Sequence, residues 1–172
     1  MQGYVRAMRA ISQLCGFIAA GMIAAGVIVV CEMVILRYVF GQSTIWQTDF
    51  TTYCLIAATF VGSPYVLMTR GHVNVDIIPH YTGPRVRLPL AIFAALVTLA
   101  FAVVMLVLTS HYWKEAWDNQ WVSDTMWRAR LWIPYASMPI GLAVLVLQCI
   151  ADLLALVTGR EAPFGLPPRS DA

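Results

Sequence analysis

Residues 11–36 read ISQLCGFIAAGMIAAGVIVVCEMVIL, an apolar run interrupted by a single charged side chain, Glu32. An α-helix rises about 1.5 Å per residue, so about 20 apolar residues cross the roughly 30 Å hydrocarbon core of a bilayer. This run is long enough to do so. Arg6 and Arg9 precede it, as they would a secretory leader, but a leader's apolar region stops after about 7–15 residues. The stretch therefore reads as an uncleaved signal-anchor helix. Residues 46–68, 88–112 and 131–157 have similar length and character, each bounded by charge, Gly or Pro. The expected fold is all-α and integral to a membrane, a single four-helix domain over residues 1–172 with spans at about 11–36, 46–68, 88–112 and 131–157.

Composition agrees. Of 172 residues, 60% are apolar and 12% charged, against roughly 45–50% and about 25% in soluble domains. A soluble chain of this length has too little interior to hide so many Leu, Val, Ile and Ala side chains. The formal charge of +2 is small and the basic residues never form a run, which excludes nucleic acid as a partner. Cys15, Cys31, Cys54 and Cys149 lie inside apolar stretches without C-x-x-C spacing or a nearby His, so they read as small buried filler.

Basic residues resist translocation, so short loops rich in Lys and Arg stay in the cytoplasm. Arg6, Arg9, Arg70, Arg85, Arg87, Arg160 and Arg169 share the side of the termini, and Arg37, Lys114, Arg128 and Arg130 the other. Both termini are expected to be cytoplasmic. On the outer side, residues 38–45 make a tight turn through Gly41. The inner loop, residues 69–89, is broken by Pro79, Gly83, Pro84 and Pro89, with residues 73–78 amphipathic enough to lie along the inner face. Residues 160–172, containing Pro163, Pro167 and Pro168, read as a flexible tail.

Trp113, Trp117 and Trp121 recur every four residues, a spacing that places them on one helical face and extends the third helix beyond the bilayer on the outer side. Trp127 and Trp132 mark the entry of the last span. This aromatic layer is either a belt at the lipid headgroups or a docking surface for a periplasmic partner. Glu32 and Asp152 sit near span ends, where they either reach water or belong to an ion path. Arg37 and Asp49 face each other across the first turn, as an ion-pair clamp on the hairpin or as two solvated charges. Gly16, Ala20 and Ala24, with Gly21 and Ala25 alongside, allow close packing against a helix of this chain or of another.

Catalytic constellations are missing from the sequence. His72, His80 and His111 fall in or beside loops, so no midspan pair can ligate a haem. No Ser, His and acid set, H-E-x-x-H or phosphate-cradling Gly loop occurs, and no enzyme activity or cofactor is expected. A self-sufficient carrier shows broken helices with polar groups at the midplane. Here only Pro64 and Pro139 interrupt spans, with Thr59, Ser63 and Ser137 nearby.

The motifs LRYVFG (36–41), WQTD (46–49), Gly62, RGHVNVD (70–76), WIPY (132–135) and PIG (139–141) together resemble the DctQ-type small membrane subunit of tripartite ATP-independent periplasmic (TRAP) transporters. The RGH loop is the most specific of them. The resemblance implies a scaffold or stator in the bacterial inner membrane, beside a large membrane subunit that carries substrate and sodium and a periplasmic binding protein that captures organic acids. It makes Arg37, Trp46, Asp49, Arg70, His72 and Asp76 candidates for partner or hairpin contacts. The family usually has Glu where this chain has Asp49, and the extra tryptophans lie outside its pattern. A self-contained carrier or channel, or a haem- or quinone-linked redox protein, are the rival readings. A reporter fused after Ala172 should be active in the cytoplasm; activity only on the other side of the membrane would reverse the topology.

Overall fold

The computed structural model describes residues 2–69 and 84–157. The helices are α1 (Gln2–Val39), α2 (Trp46–Met68), α3 (Pro84–Asp118), a single turn α4 (Trp132–Tyr135) and α5 (Ser137–Val157). Four segments are long and apolar enough to cross a membrane: α1, α2, α3, and α4 running into α5. Among the described residues there is no strand, only an isolated antiparallel bridge between Val122 and Arg130. The expected four-helix architecture is thus present, and the third helix is extended, to Asp118. The amphipathic segment expected at 73–78 and the tail at 160–172 lie outside the described residues.

Local chemistry sets the helix boundaries. α1 contains no Pro and continues to Val39, where Gly41 adopts a left-handed φ of +61° and the Gln42 N–H returns to the Leu36 carbonyl at 3.1 Å. A residue in this conformation commonly ends a helix, and Gly adopts it without steric cost. The last span is split at Ala136 because Pro139 has no N–H to offer the carbonyl of Tyr135; there the Ser137 hydroxyl donates to the Pro134 carbonyl at 2.6 Å. Hydroxyls within the spans are satisfied locally. Thr51, Thr52, Thr59, Thr98 and Thr109 each donate to the carbonyl four residues back, at 2.8–2.9 Å. In lipid, which offers no competing partner, that internal bond removes the cost of a bare hydroxyl.

The helix α5 is the centre of the bundle, packed on α2 and α3 and touching α1, while α1 and α2 pack along each other. Of its most apolar window 33% is buried, against 11–17% in the other three spans. Their apolar surface therefore faces outward, as with Phe17 (81% exposed) on α1 and Phe93 (65%) on α3, the reverse of a water-soluble bundle.

Close approach between helices depends on small residues. Gly62 of α2 meets Ala19 of α1, and Gly16 of α1 lies so close to the Tyr65 ring that a Cβ there would stand 2.8 Å from Cδ2. The tightest crossing is between α2 and α5. Pro64, fully buried, cannot donate to the carbonyl of Phe60. The Ser63 hydroxyl donates to that carbonyl instead, at 2.8 Å, and Gly141 of α5 packs directly against the same peptide group. Gly141→Ala should cost about 1–3 kcal/mol, the usual price of overpacking, because its Cβ would collide with backbone that cannot rotate away. Gly21→Ala, with nothing within 4 Å of the new Cβ, should leave the thermal midpoint in detergent unchanged or slightly raised. Equal midpoints for the two variants would refute the crossing.

Candidate functional site

Two sets of polar contacts tie distant parts of the chain together, one toward each end of the bundle. Toward the end that carries the chain termini, Ser12 of α1 and Gln148 of α5 are 0% and 1% exposed. The Ser12 hydroxyl donates to Gln148 Oε1 at 2.8 Å, and Gln148 Nε2 donates to Asp152 Oδ1 one turn on, also at 2.8 Å. Nearby the Tyr4 hydroxyl donates to the Leu147 carbonyl at 3.1 Å. The Ser12 and Tyr4 bonds join α1 to α5 across the bundle. Asp152 is thus bonded into α5 on one side, whatever else it contacts.

At the opposite, tryptophan-rich end, Asp49 in the first turn of α2 is half-buried and accepts hydrogen bonds from two hydroxyls of the α3–α4 loop. Ser123 Oγ donates to Asp49 Oδ2 at 3.1 Å and Thr125 Oγ1 donates to the same oxygen, while the two hydroxyls lie 3.0 Å from each other. A carboxylate also suits the positive end of the helix dipole. The loop is shaped like a small hairpin. Ser123 N–H bonds the Ala129 carbonyl at 2.9 Å and Leu131 N–H the Trp121 carbonyl at 3.0 Å, with Gln120 and Arg128 in left-handed conformation at φ 49° and 46°.

Aromatic rings fill the space around this anchor. Trp127 lies between Trp46 and Tyr53, each centroid 6.4 Å away, and Trp46 also meets Phe50 edge-on at 6.1 Å. Trp117 meets Trp132 edge-on at 4.4 Å and Trp113 at 5.9 Å, and Trp113 Nε1 donates to the Trp132 carbonyl at 3.1 Å. Tyr112 bridges Trp121 and Tyr135 at 5.4 Å each. Such ring pairs add about 0.5–1.5 kcal/mol beyond the area they bury. Together they bind the end of α3, the loop, α4 and the start of α2 into one layer.

Several residues singled out in the sequence occupy places other than those expected. Arg37 is exposed, and among the described residues no ion pair joins it to Asp49, whose carboxylate is turned to Ser123 and Thr125 instead. Trp121 does not continue the face of Trp113 and Trp117, because α3 ends at Asp118 and the left-handed Gln120 redirects the chain. Of the small-residue stripe, expected to pack on a helix of this chain or of another, Gly16 packs inside the chain and Ala20 and Ala24 are exposed; the buried face of α1 runs through Met8, Ser12, Cys15, Ala19 and Gly26. Arg70, His72 and Asp76 lie outside the described residues. Sequence reasoning passed over Ser12, Gln148, Ser123 and Thr125. For Gln148 a signal existed, an amide in the middle of an apolar run; for the loop hydroxyls there was none. Gln47, 4% exposed, and Thr44 each keep a buried oxygen that no donor among the described residues reaches.

Fold and contacts together define a four-span helical membrane protein whose span hydroxyls mostly bond carbonyls of their own helices. The family described as tripartite ATP-independent periplasmic transporters, DctQ component, matches residues 26–159, and the chain belongs to that family. It is 26% identical over 148 residues to the C4-dicarboxylate TRAP transporter small permease protein DctQ of Vibrio cholerae serotype O1, covering 74% of this chain and 64% of that relative's length. No solved structure matches. Asp49→Ala removes the acceptor of two loop hydroxyls, each bond to a charged group being worth about 1.5–3 kcal/mol. Amide exchange across residues 122–130 should accelerate in that variant and less so in Asp49→Asn, which keeps an acceptor oxygen. Unchanged exchange in Asp49→Ala would mean that the rings alone hold the loop.

Proposed function

We propose that this chain is the small scaffold subunit of a sodium-coupled TRAP importer of organic acids. In this reading it sits in the bacterial inner membrane with both termini cytoplasmic, holds a large membrane subunit that carries substrate and ion, and works with a periplasmic binding protein. The observation that carries the proposal is the use made of the polar groups inside the spans. Ser12, Gln148 and Asp152 bond one another, and the carbonyl freed by Pro64 is taken by Ser63 under Gly141. Carriers instead leave such groups and unwound backbone free to meet an ion or substrate. The V. cholerae relative is named for C4-dicarboxylates, which supports an organic acid as the cargo. No catalytic role is assigned to the chain.

Under this proposal, affinity purification from native membranes brings down a larger membrane protein. Proteoliposomes holding this chain alone should show no uptake, whereas adding the larger protein and the binding protein should give sodium-dependent accumulation of an organic acid. Uptake by this chain alone would overturn the scaffold reading.

A further inference from the structure

Two buried oxygens at the start of α2 stand without a donor. Gln47, 4% exposed, keeps its Oε1 unbonded and Thr44 its Oγ1. Buried polar atoms nearly always find a partner, so an unbonded pair calls for a physical account. Neighbouring hydroxyls do not supply one. Thr51 Oγ1 donates to the Gln47 carbonyl and Thr52 Oγ1 to the Thr48 carbonyl, both at 2.9 Å, and Thr48 Oγ1 donates to the Met33 sulfur at 3.7 Å. Gln47 lies one turn before Thr51, whose methyl would stand 3.7 Å from a Cβ on Gly26. Its amide is therefore on the side of α2 that packs on α1.

The spacing of the two residues accounts for both atoms. Residues 44–47 read TIWQ, a Thr followed three positions later by a Gln where a helix begins, which is the pattern of a capping box. In that motif the Thr hydroxyl oxygen accepts the N–H of the Gln, and the Gln side-chain oxygen accepts the N–H of the Thr. The two acceptors of the box are the two unbonded oxygens. In this structure the N-cap position falls on Ile45, at φ −107° and ψ −51°, without a side-chain cap. Ile45 thus already has helical dihedrals, and making Thr44 the N-cap asks for rotation at Thr44 and of two side chains. Among the described residues no bond reaches the Thr44 N–H, while the turn is tied to α1 through the Gln42 N–H and the Leu36 carbonyl at 3.1 Å.

We propose that Thr44 and Gln47 form a strap with two settings: the open one present in this structure, and a closed one in which the capping box forms and Ile45 joins α2. Closing gives both acceptors a donor and satisfies two N–H groups that a helix start leaves over. It also withdraws the Gln47 side chain from its place against α1, the opposing cost that gives two settings rather than one. Trp46 lies between the two residues, and its ring meets Phe50 at 6.1 Å and Trp127 at 6.4 Å. The closed strap joins the 40–45 turn to the aromatic layer; the open one leaves it on α1. Such a strap works within the chain alone, whatever subunit or cargo the chain serves.

Residue-resolved amide exchange by NMR, on the full chain in lipid nanodiscs, tests it with Thr44→Val, Gln47→Met and the double variant. The Thr44 and Gln47 amides should be protected in the unaltered chain, and each single variant should speed both about twofold to tenfold, the range for one net hydrogen bond. The double variant should add nothing further, because a reciprocal box is lost with either half. Gln47→Glu keeps the acceptor and adds a charge suited to a helix start, so it should slow both. Protection at Thr44 in the unaltered chain supports closure even where a variant fails to fold, since nothing bonds that N–H in the open setting. Equally fast exchange at both amides in all the chains would overturn the strap. A thermal midpoint raised by Gln47→Met would then mark the oxygen as left unpaired, and a lowered one would mark a bridging water in its place.

Discussion

The interior of a bilayer supplies neither hydrogen-bond partners nor a hydrophobic incentive for two helices to associate, since lipid tails are as apolar as Leu. Every helix contact in this chain must therefore come from close backbone approach or from polar groups that find each other. Both devices meet where α5 crosses α2. Pro64 frees the Phe60 carbonyl, Ser63 satisfies it, and Gly141 lets the central helix rest on that peptide. With α5 placed there, Gln148 lies level with Ser12, and α3 has a helix to pack against. The small residues of α1 then close the remaining pair, Ala19 on Gly62 and Gly16 on Tyr65.

The two ends of the bundle are fastened by different chemistry, for a reason of depth. The Ser12–Gln148 contact is buried between helices, where each group has no water to exchange with and the bond must be made within the protein, with Asp152 bonded to the amide from the half-buried edge. The tryptophan-rich end uses an acid, two hydroxyls and a layer of rings. Indole suits that setting, apolar over most of its surface and able to donate one hydrogen bond, as Trp113 does to the Trp132 carbonyl. The rings cover the sides of the loop, whereas Asp49 holds its backbone turn from beneath. Neither alone would order a thirteen-residue connection between Asp118 and Trp132, whose conformational entropy opposes any single fixed form.

The spans were legible because hydropathy and length decide them with little help from tertiary structure, and α2 begins and ends where its apolar run does. Inward and outward faces were not. In a soluble helix the apolar arc marks the core, but in lipid both arcs are apolar, so the sequence did not separate the Gly16, Ala20 and Ala24 stripe, open to this chain or another, from the face through Ser12, Cys15 and Ala19 that is buried here. The partner of Asp49 was hidden for a different reason. Arg37 is near in sequence, whereas Ser123 and Thr125 lie more than seventy residues away and reach the acid only because the loop turns twice through left-handed residues. Gln148 pairs with Ser12 across 136 positions, a distance over which local pattern carries no information.

The same accounting limits how far the helices can move. A carrier must hold polar atoms in reserve, able to exchange protein partners for an ion or substrate at small cost, and it must possess a helix break that can open. Here the Pro64 break is closed, its carbonyl bonded by Ser63 and covered by Gly141, so bending α2 there would expose a peptide group to lipid. Moving α5 against α1 would strip Gln148 of the hydroxyl it accepts from, in a medium that offers no replacement. Both motions are opposed by the same desolvation cost that assembled the bundle. A chain built in this way resists both bending of α2 at Pro64 and sliding of α5 against α1, so its two helix crossings act as fixed joints.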